Sequence, residues 1–401
     1  MREMKDSGVR WIGKIPTKWT IAKAKNCVEI QNGSDPKTEG SIPVYGSGSM
    51  SFKTCGEYKE GPSVLIGRKG ATLHIPHYIS SKFWNVDTAF NVYSKSIFDL
   101  KYYFYCAHVF DYTLYMSQTT LPSMTQTAYE NMFLPLPTKE EQYAIANQLD
   151  QICSKIDAVL EKTRASIEEY KKLKQAVITQ VVTKGVRGDR PMKDSGSVWF
   201  EEIPCNWVMK RIKYLFHIKK DIAGKEGYTV LSITQRGIQP KDLSKNEGQI
   251  AANYSQYQLL APGDFAMNHM DLLTGWVDIS KYSGVTSPDY RVFVLDDAEK
   301  NDSSYYLYLM QMCYFNRIFY GLGQGVSGMG RWRLQADNFL NFPVVVPPVD
   351  EQKEIVSYLN EKCKQLDTLI RNKQQYLTEI ENYKKSLIYE YVTGKKAVHP
   401  L

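Results

Sequence analysis

The sequence lacks any apolar run approaching the roughly 18–20 residues that a bilayer-spanning helix needs. Its opening residues, MREMKDSGVR, are too polar for a secretory signal. The expected location is therefore the cytoplasm, with no membrane partner. Cysteine is sparse and unpatterned: seven residues, at 27, 55, 106, 153, 205, 313 and 363, never spaced C-x-x-C. An odd, scattered set argues against both a disulfide framework and a zinc site, and fits a reducing compartment. His74 and His77 are separated by Ile-Pro with no further His close in sequence, so a turn or surface role is expected rather than a metal cluster. His108 stands among aromatics and reads as a packed side chain.

Catalytic signatures are missing as well. GRKGAT (67–72) does not have the G-x-x-x-x-G-K-[ST] form of a phosphate-cradling loop, so ATP use by this chain is not expected. GLGQGVSGMG (321–330) imitates a dinucleotide fingerprint, but no strong strand precedes it and Arg-Trp-Arg follows instead of a helix start. The N/D-P-P-Y/F/W tetrapeptide of amino-methyltransferases is absent, and Pro288-Asp289 is not followed by D/E-x-K at nuclease spacing. No nucleophile, base and oxyanion donor assemble. Excess charge is small too. A net +7 permits a nucleic-acid partner without demanding one.

What is present is a duplication. MKDSGVRWIGKIPTKW (4–19) returns as MKDSGSVWFEEIPCNW (192–207), an offset of 188. PLPTKEEQYAIANQL (135–149) returns as VVPPVDEQKEIVSYL (345–359), an offset of 210 that continues ungapped through Asp157/Asp367, Lys174/Lys384 and Val182-Thr183/Val392-Thr393. The order is box, variable region, long segment, and then the same again. Little else in the variable regions matches, so the frame is duplicated and its contents differ.

The long segments, from about Lys139 to Thr183 and Asp350 to Thr393, contain neither Pro nor Gly, and Thr138 and Asp350 stand where N-caps belong. Apolar residues alternate at three and four: Leu149, Cys153, Ile156, Leu160, Ile167, Tyr170 and Val177, matched by Leu359, Cys363, Leu366, Ile370, Leu377, Ile380 and Leu387. That period is the seam of a coiled coil, interrupted at Thr163/Lys373 and Lys174/Lys384. Each helix would be roughly 65 Å long. Chain order favours an antiparallel pair with a pseudo-twofold axis; the alternative is that each helix packs only on its own globule.

The variable regions hold short β-like runs, PSVLIG (62–67) and DYRVFVL (289–295), followed by aromatic-rich helical stretches, DLKYYFYCAHVF (99–110) and SSYYLYLMQMCYF (303–315). An α+β globule is expected for each. Polar loops come next. SQTTLPSMTQ (117–126) offers Gln118, Thr119, Thr120, Ser123 and Gln126. GLGQGVSGMGRWRL (321–334), with Arg317 just before it, offers Gln324, Arg331 and Arg333. Arg68 and Lys69 in GRKG (67–70), and Arg236, complete the candidates for DNA contact. Gly-rich backbone admits phosphates closely, Arg pairs with guanine and Gln with adenine. Each is equally readable as an ordinary surface loop, and GRKG as a plain tight turn.

The duplicated W-x-x-x-I-P-x-x-W box (Trp11 to Trp19, Trp199 to Trp207), the P-x-x-x-E-Q helix starts (Pro137 to Gln142, Pro347 to Gln352) and the helix ends AVITQVVTKG and SLIYEYVTGK resemble the specificity subunit of type I restriction-modification systems, over essentially the whole chain. The resemblance implies two target-recognition domains, 1–138 and 191–348, with a central long helix and linker, 139–190, and a distal helix and tail, 349–401. It implies a non-catalytic subunit reading a bipartite, asymmetric site in double-stranded DNA. The helices would set the spacing and dock two modification (methyltransferase) subunits, with restriction/translocase subunits as further partners. S-adenosylmethionine would then belong to the modification subunits, and ATP and Mg to the restriction subunit, with no cofactor on this chain. The competing reading is a coiled-coil scaffold whose globules bind protein.

Overall fold

The structure, a computed structural model, describes residues 2–48, 50–117, 122–244, 251, 253–325 and 332–398. The chain divides into two compact units, residues 1–165 with 373–401, and residues 166–372. Each unit is α+β and contains a globule together with stretches of both long helices.

The long helices are Lys139–Lys184 and Val349–Val392. Thr138 caps the first, its Oγ1 accepting from Glu141 N at 3.3 Å. Asp350, expected as the second cap, lies instead inside the first turn beside Glu351. Carboxylates there meet the positive end of the helix dipole, which accounts for the residue type equally well.

In the first unit the box folds into the antiparallel hairpin Met4–Asp6 with Lys14–Pro16. Thr20–Lys23 then pairs with Phe133–Leu136, the strand that leads into the long helix. Between them lies a four-stranded antiparallel sheet in the order Val28–Asn32, Ala89–Ser94, Ser63–Gly67, His77–Ile79. Every residue of Ser63–Gly67 is buried, which is why that strand reads as a continuous apolar run and not as an alternation. A three-stranded sheet (Lys53–Cys55, Ile42–Tyr45, Trp84–Asn85) flanks it. Helix Leu100–Ala107 is capped by Asp99, which accepts from Tyr102 N at 2.7 Å.

The second unit repeats this plan. Its hairpin is Met192–Ser197 with Phe200–Pro204, its frame pair Val208–Arg211 with Pro343–Val346, and its central sheet runs Phe216–Lys219, Arg291–Leu295, Phe265–Met267, Val277–Ile279. Asp302 caps helix Ser303–Phe315. Two ribbons, Leu231–Thr234/Gly237–Pro240 and Gln258–Leu260/Gly284–Thr286, take the place of the flanking sheet.

The repeated motifs are the joints of this frame. Trp19 Nε1 donates to Glu141 at 2.8 Å and Arg2 Nη1 to the same carboxylate at 2.5 Å. Correspondingly, Trp207 Nε1 donates to Glu351 at 2.9 Å and Arg190 Nη1 at 2.6 Å. The next residue, Gln142, accepts from Asp99 N and donates to Pro137 O; Gln352 does the same with Asp302 N and Pro347 O. The last letters of the P-x-x-x-E-Q motif therefore hold the box with one side chain and the globule's helix cap with the other.

Helix ends are fastened as well. Tyr102 OH donates to Val392 O at 2.8 Å in the first unit, and Tyr305 OH to Val182 O at 3.0 Å in the second. Gly394 follows with a φ of +72°, and a Cβ there would stand 2.5 Å from the Pro16 ring. The first core takes in Ile145, Leu149, Leu387, Ile388 and Val392; the second takes in Ile178, Val182, Ile355 and Leu359. Each globule thus packs the start of one long helix and the end of the other. Along the helices Leu149, Leu160, Ile167, Leu359, Leu366 and Leu387 are buried, while Ile156, Tyr170, Val177, Ile370, Leu377 and Ile380 are half-buried. Within the first unit Asp157 bonds Lys384 and Arg164 bonds Glu381, an antiparallel order.

Candidate nucleic-acid interface

In the first unit the segment around GRKG is an open bend. Gly67 ends the central strand, Lys69 bridges to Ser123, and the turn proper follows at residues 71–74. The strand fails to turn at GRKG because its backbone pairs outward: Arg68 N and Lys69 N donate to Thr88 O, Met124 N donates to Arg68 O at 2.9 Å, and Gly70 N to Pro122 O at 3.0 Å. Arg68, Lys69 and Ser123 are thereby brought together at the root of a loop closed by the Ser117–Ser123 bridge. Gln118, Thr119 and Thr120 lie outside the described residues. The Arg68 guanidinium lies 5.8 Å from the Phe90 ring and donates to Asp87 O at 3.4 Å, and Lys69 stands 3.8 Å from the Asp87 carboxylate. Gln126 is elsewhere in role. It donates to Ile30 O and Glu130 and accepts from Asn32, bracing helix Gln126–Asn131 against the sheet.

In the second unit Gln324 and Arg333 form an antiparallel bridge with two backbone hydrogen bonds, of 2.9 and 3.0 Å. Arg331 lies outside the described residues. Trp332, beside that bridge, stacks on Tyr320 at 5.4 Å and donates from Nε1 to Tyr320 O at 2.6 Å. Arg236 is exposed at the turn between Leu231–Thr234 and Gly237–Pro240. Arg317, in the left-handed region at φ 57°, opens a cleft of about 770 Å³ lined also by Lys171, Lys174, Gln235, Trp276 and Tyr314.

Sequence reasoning missed two basic side chains beside the Gln324–Arg333 bridge, Arg291 and His269. Arg291 lies in a central strand with its guanidinium buried, donating to Leu334 O at 2.9 Å. His269 O accepts from Leu334 N at 2.9 Å. An arginine inside the β-like run DYRVFVL was the available signal. Among the described residues no three His, Cys, Asp or Glu side chains gather to hold a metal ion, and no helix is long and apolar enough to cross a membrane.

The fold and its paired frame define a protein with two α+β globules and two long helices, built from one plan used twice. The sequence matches the family described as "Type I restriction modification DNA specificity domain" over residues 16–169 and again over 204–382, and the chain belongs to that family. The resemblance carried by the duplicated box and helix starts points to the same family. Two curated relatives come from Methanocaldococcus jannaschii. The type I restriction enzyme MjaVIII specificity subunit is 24% identical over 71% of this chain and 66% of its own length. The putative type I restriction enzyme MjaX specificity subunit is 24% identical over 68% and 61%. The chain therefore spans slightly less than two thirds of the length of these relatives. A solved chain from work on the "complex assembly and conformational transition of the type I R-M system" shares the fold, with a TM-score of 0.69 at 12% identity over 95% of this chain and 99% of that one.

Proposed function

We propose that this chain is the sequence-reading, non-catalytic subunit of a type I DNA methyltransferase complex, each globule reading one half of a split, asymmetric site. The observation that carries the reading is the contrast inside one polypeptide. Trp19, Glu141 and Gln142 build the same joints as Trp207, Glu351 and Gln352, while the segments spanned by the Ser117–Ser123 and Gln324–Arg333 bridges differ in length and sequence. Two different readers on one repeated frame suit a bipartite target, because linkage raises the effective concentration of the second contact and selects one spacing.

In this reading Arg68, Lys69, Ser123, Gln324 and Arg333, with Gln118, Thr119, Thr120, Arg236, Arg317 and Arg331, supply phosphate and base contacts. The helices fix the spacing and dock two modification subunits. Exposed apolar side chains at repeat-equivalent positions, Val159 with Leu369 and Leu173 with Tyr383, support two equivalent docking faces. S-adenosylmethionine is assigned to the modification subunits, which flip the target adenine, and ATP and Mg to a restriction subunit.

The test is co-expression with the cognate modification subunit and mapping of methylated adenines by long-read sequencing. A single split motif with a fixed gap is expected. No motif from a well-formed complex would transfer the assignment to a coiled-coil scaffold for protein partners.

A further inference from the structure

The surroundings of the Ser117–Ser123 and Gln324–Arg333 bridges carry positive charge in different ways. In the first unit Lys69 stands 3.8 Å from the Asp87 carboxylate, so an internal acid shares its charge, while Arg68 donates to the Asp87 backbone carbonyl. In the second unit the backbone place of Arg68 is taken by His269: Met124 N donates to Arg68 O, and its repeat mate Leu334 N donates to His269 O. The guanidinium has moved to the adjacent strand as Arg291, only 6% exposed. Arg291 donates to Leu334 O at 2.9 Å, approaches Met267 Sδ at 3.7 Å and lies 4.9 Å from the Phe339 ring. None of these partners carries a charge. Asp271, two residues past His269, spends its carboxylate on Leu273 N, Thr274 N and the Thr274 hydroxyl.

Burying a cation without a counter-charge is costly, and a second cation nearby raises the cost. Arg333 adds that second charge. Burial first, and then Arg291 and Arg333, push His269 down to about 3, and its buried Nδ1 has no hydrogen-bond partner. Such a cluster lacks one component, an anion.

We propose that Arg291, Arg333 and His269 form a seat for a DNA backbone phosphate beside the Gln324–Arg333 bridge, anchoring the second globule without reading bases. The inference rests on the DNA-reading function proposed above. A phosphate fits better than a base edge for two reasons. It brings the full negative charge the cluster lacks, and Arg291, held by Leu334 O and the Phe339 face, has no freedom to reach into a groove. It also accounts for the asymmetry between units, since the Asp87 carboxylate already stands beside Lys69 in the first.

Two measurements test it. In the full chain labelled at histidine, inorganic phosphate should shift the His269 ring resonances saturably, while chloride at equal ionic strength should not; His269→Gln identifies the signal. In the complex with modification subunits, Arg333→Gln should weaken binding equally for matched and mismatched second half-sites. The slope of log K against log salt should become shallower by about 0.9, one phosphate contact, and Arg333→Lys should restore it. Absence of a phosphate-specific shift, or an Arg333→Gln loss confined to the matched half-site, overturns the seat. A complex that binds no DNA while the His269 shift persists sinks the DNA-reading function and leaves the anion seat standing.

Discussion

Lys384 Nζ lies 2.6 Å from Asp157 Oδ1, joining the two long helices within the first unit. Its repeat mate, Lys174 to Asp367 at 2.7 Å, does the same within the second. These lysines stand where the apolar register of each helix breaks. The break is therefore a polar joint in each unit, and Thr163, the other interruption in the first helix, turns its hydroxyl back to Val159 O at 2.8 Å. A charged pair at a defined level favours one register over slipped alternatives.

The pair is half-open to solvent, with side-chain exposures of 23% for Lys384 and 55% for Asp157, so its energy is small. A double-mutant cycle with Asp157→Asn and Lys384→Met should give a coupling of about 0.2–1 kcal/mol that shrinks with added salt. A coupling above about 2 kcal/mol would mean a pair far less solvated than this one.

Glu351 and Glu141 hold equivalent joints but are not equally exposed. Glu351, 7% exposed, receives Arg190, Trp207 and Asn206; Glu141, 21% exposed, receives Arg2 and Trp19. Glu351→Ala strands a nearly buried guanidinium and should cost about 3–5 kcal/mol in urea unfolding. Glu141→Ala should cost about 1 kcal/mol. Equal costs would show that burial does not govern these joints. Burial opposes ionisation of Glu351, but its donors outweigh that and hold the carboxyl below its ordinary 4.5. The stabilisation is present above that pH and is lost as the pH falls through the lowered value.

His108 is pushed down to about 4, by burial first and then by the Lys384 charge. The unfolded chain binds this proton near pH 6.5, whereas the folded chain does not until about 4. Stability should therefore fall as the pH drops from 6.5 to 4 and this contribution level off below. His108→Gln should flatten that part of the urea midpoint–pH curve. Parallel curves for the two proteins would rule out His108 as the source.

Cys205 is exposed and the other six cysteines are buried. Burial also pushes Cys27 and Cys153 up to about 11, which keeps them as unreactive thiols. A disulfide reagent should label one thiol rapidly in the native chain, and Cys205→Ser should abolish that phase. Rapid labelling of several thiols would mean that the cores open readily.

The twofold plan, the helix extents and the family were legible in the sequence because they are written locally. Apolar residues at alternating three and four specify a helix face wherever they occur, and a box that recurs at a fixed offset reports duplication before any folding is considered. The core strand Ser63–Gly67 and the caps Asp99 and Asp302 were within reach for the same reason. The tertiary structure alone decided what those letters do. Glu351 meets Trp207 and Arg190 from 144 and 161 residues away, and Arg291, His269 and Leu334 converge from three separate segments. Nothing in local spacing encodes such meetings. They depend on strand register and on which helix end packs into which globule, so the sites they form exist only once the long-range packing is complete.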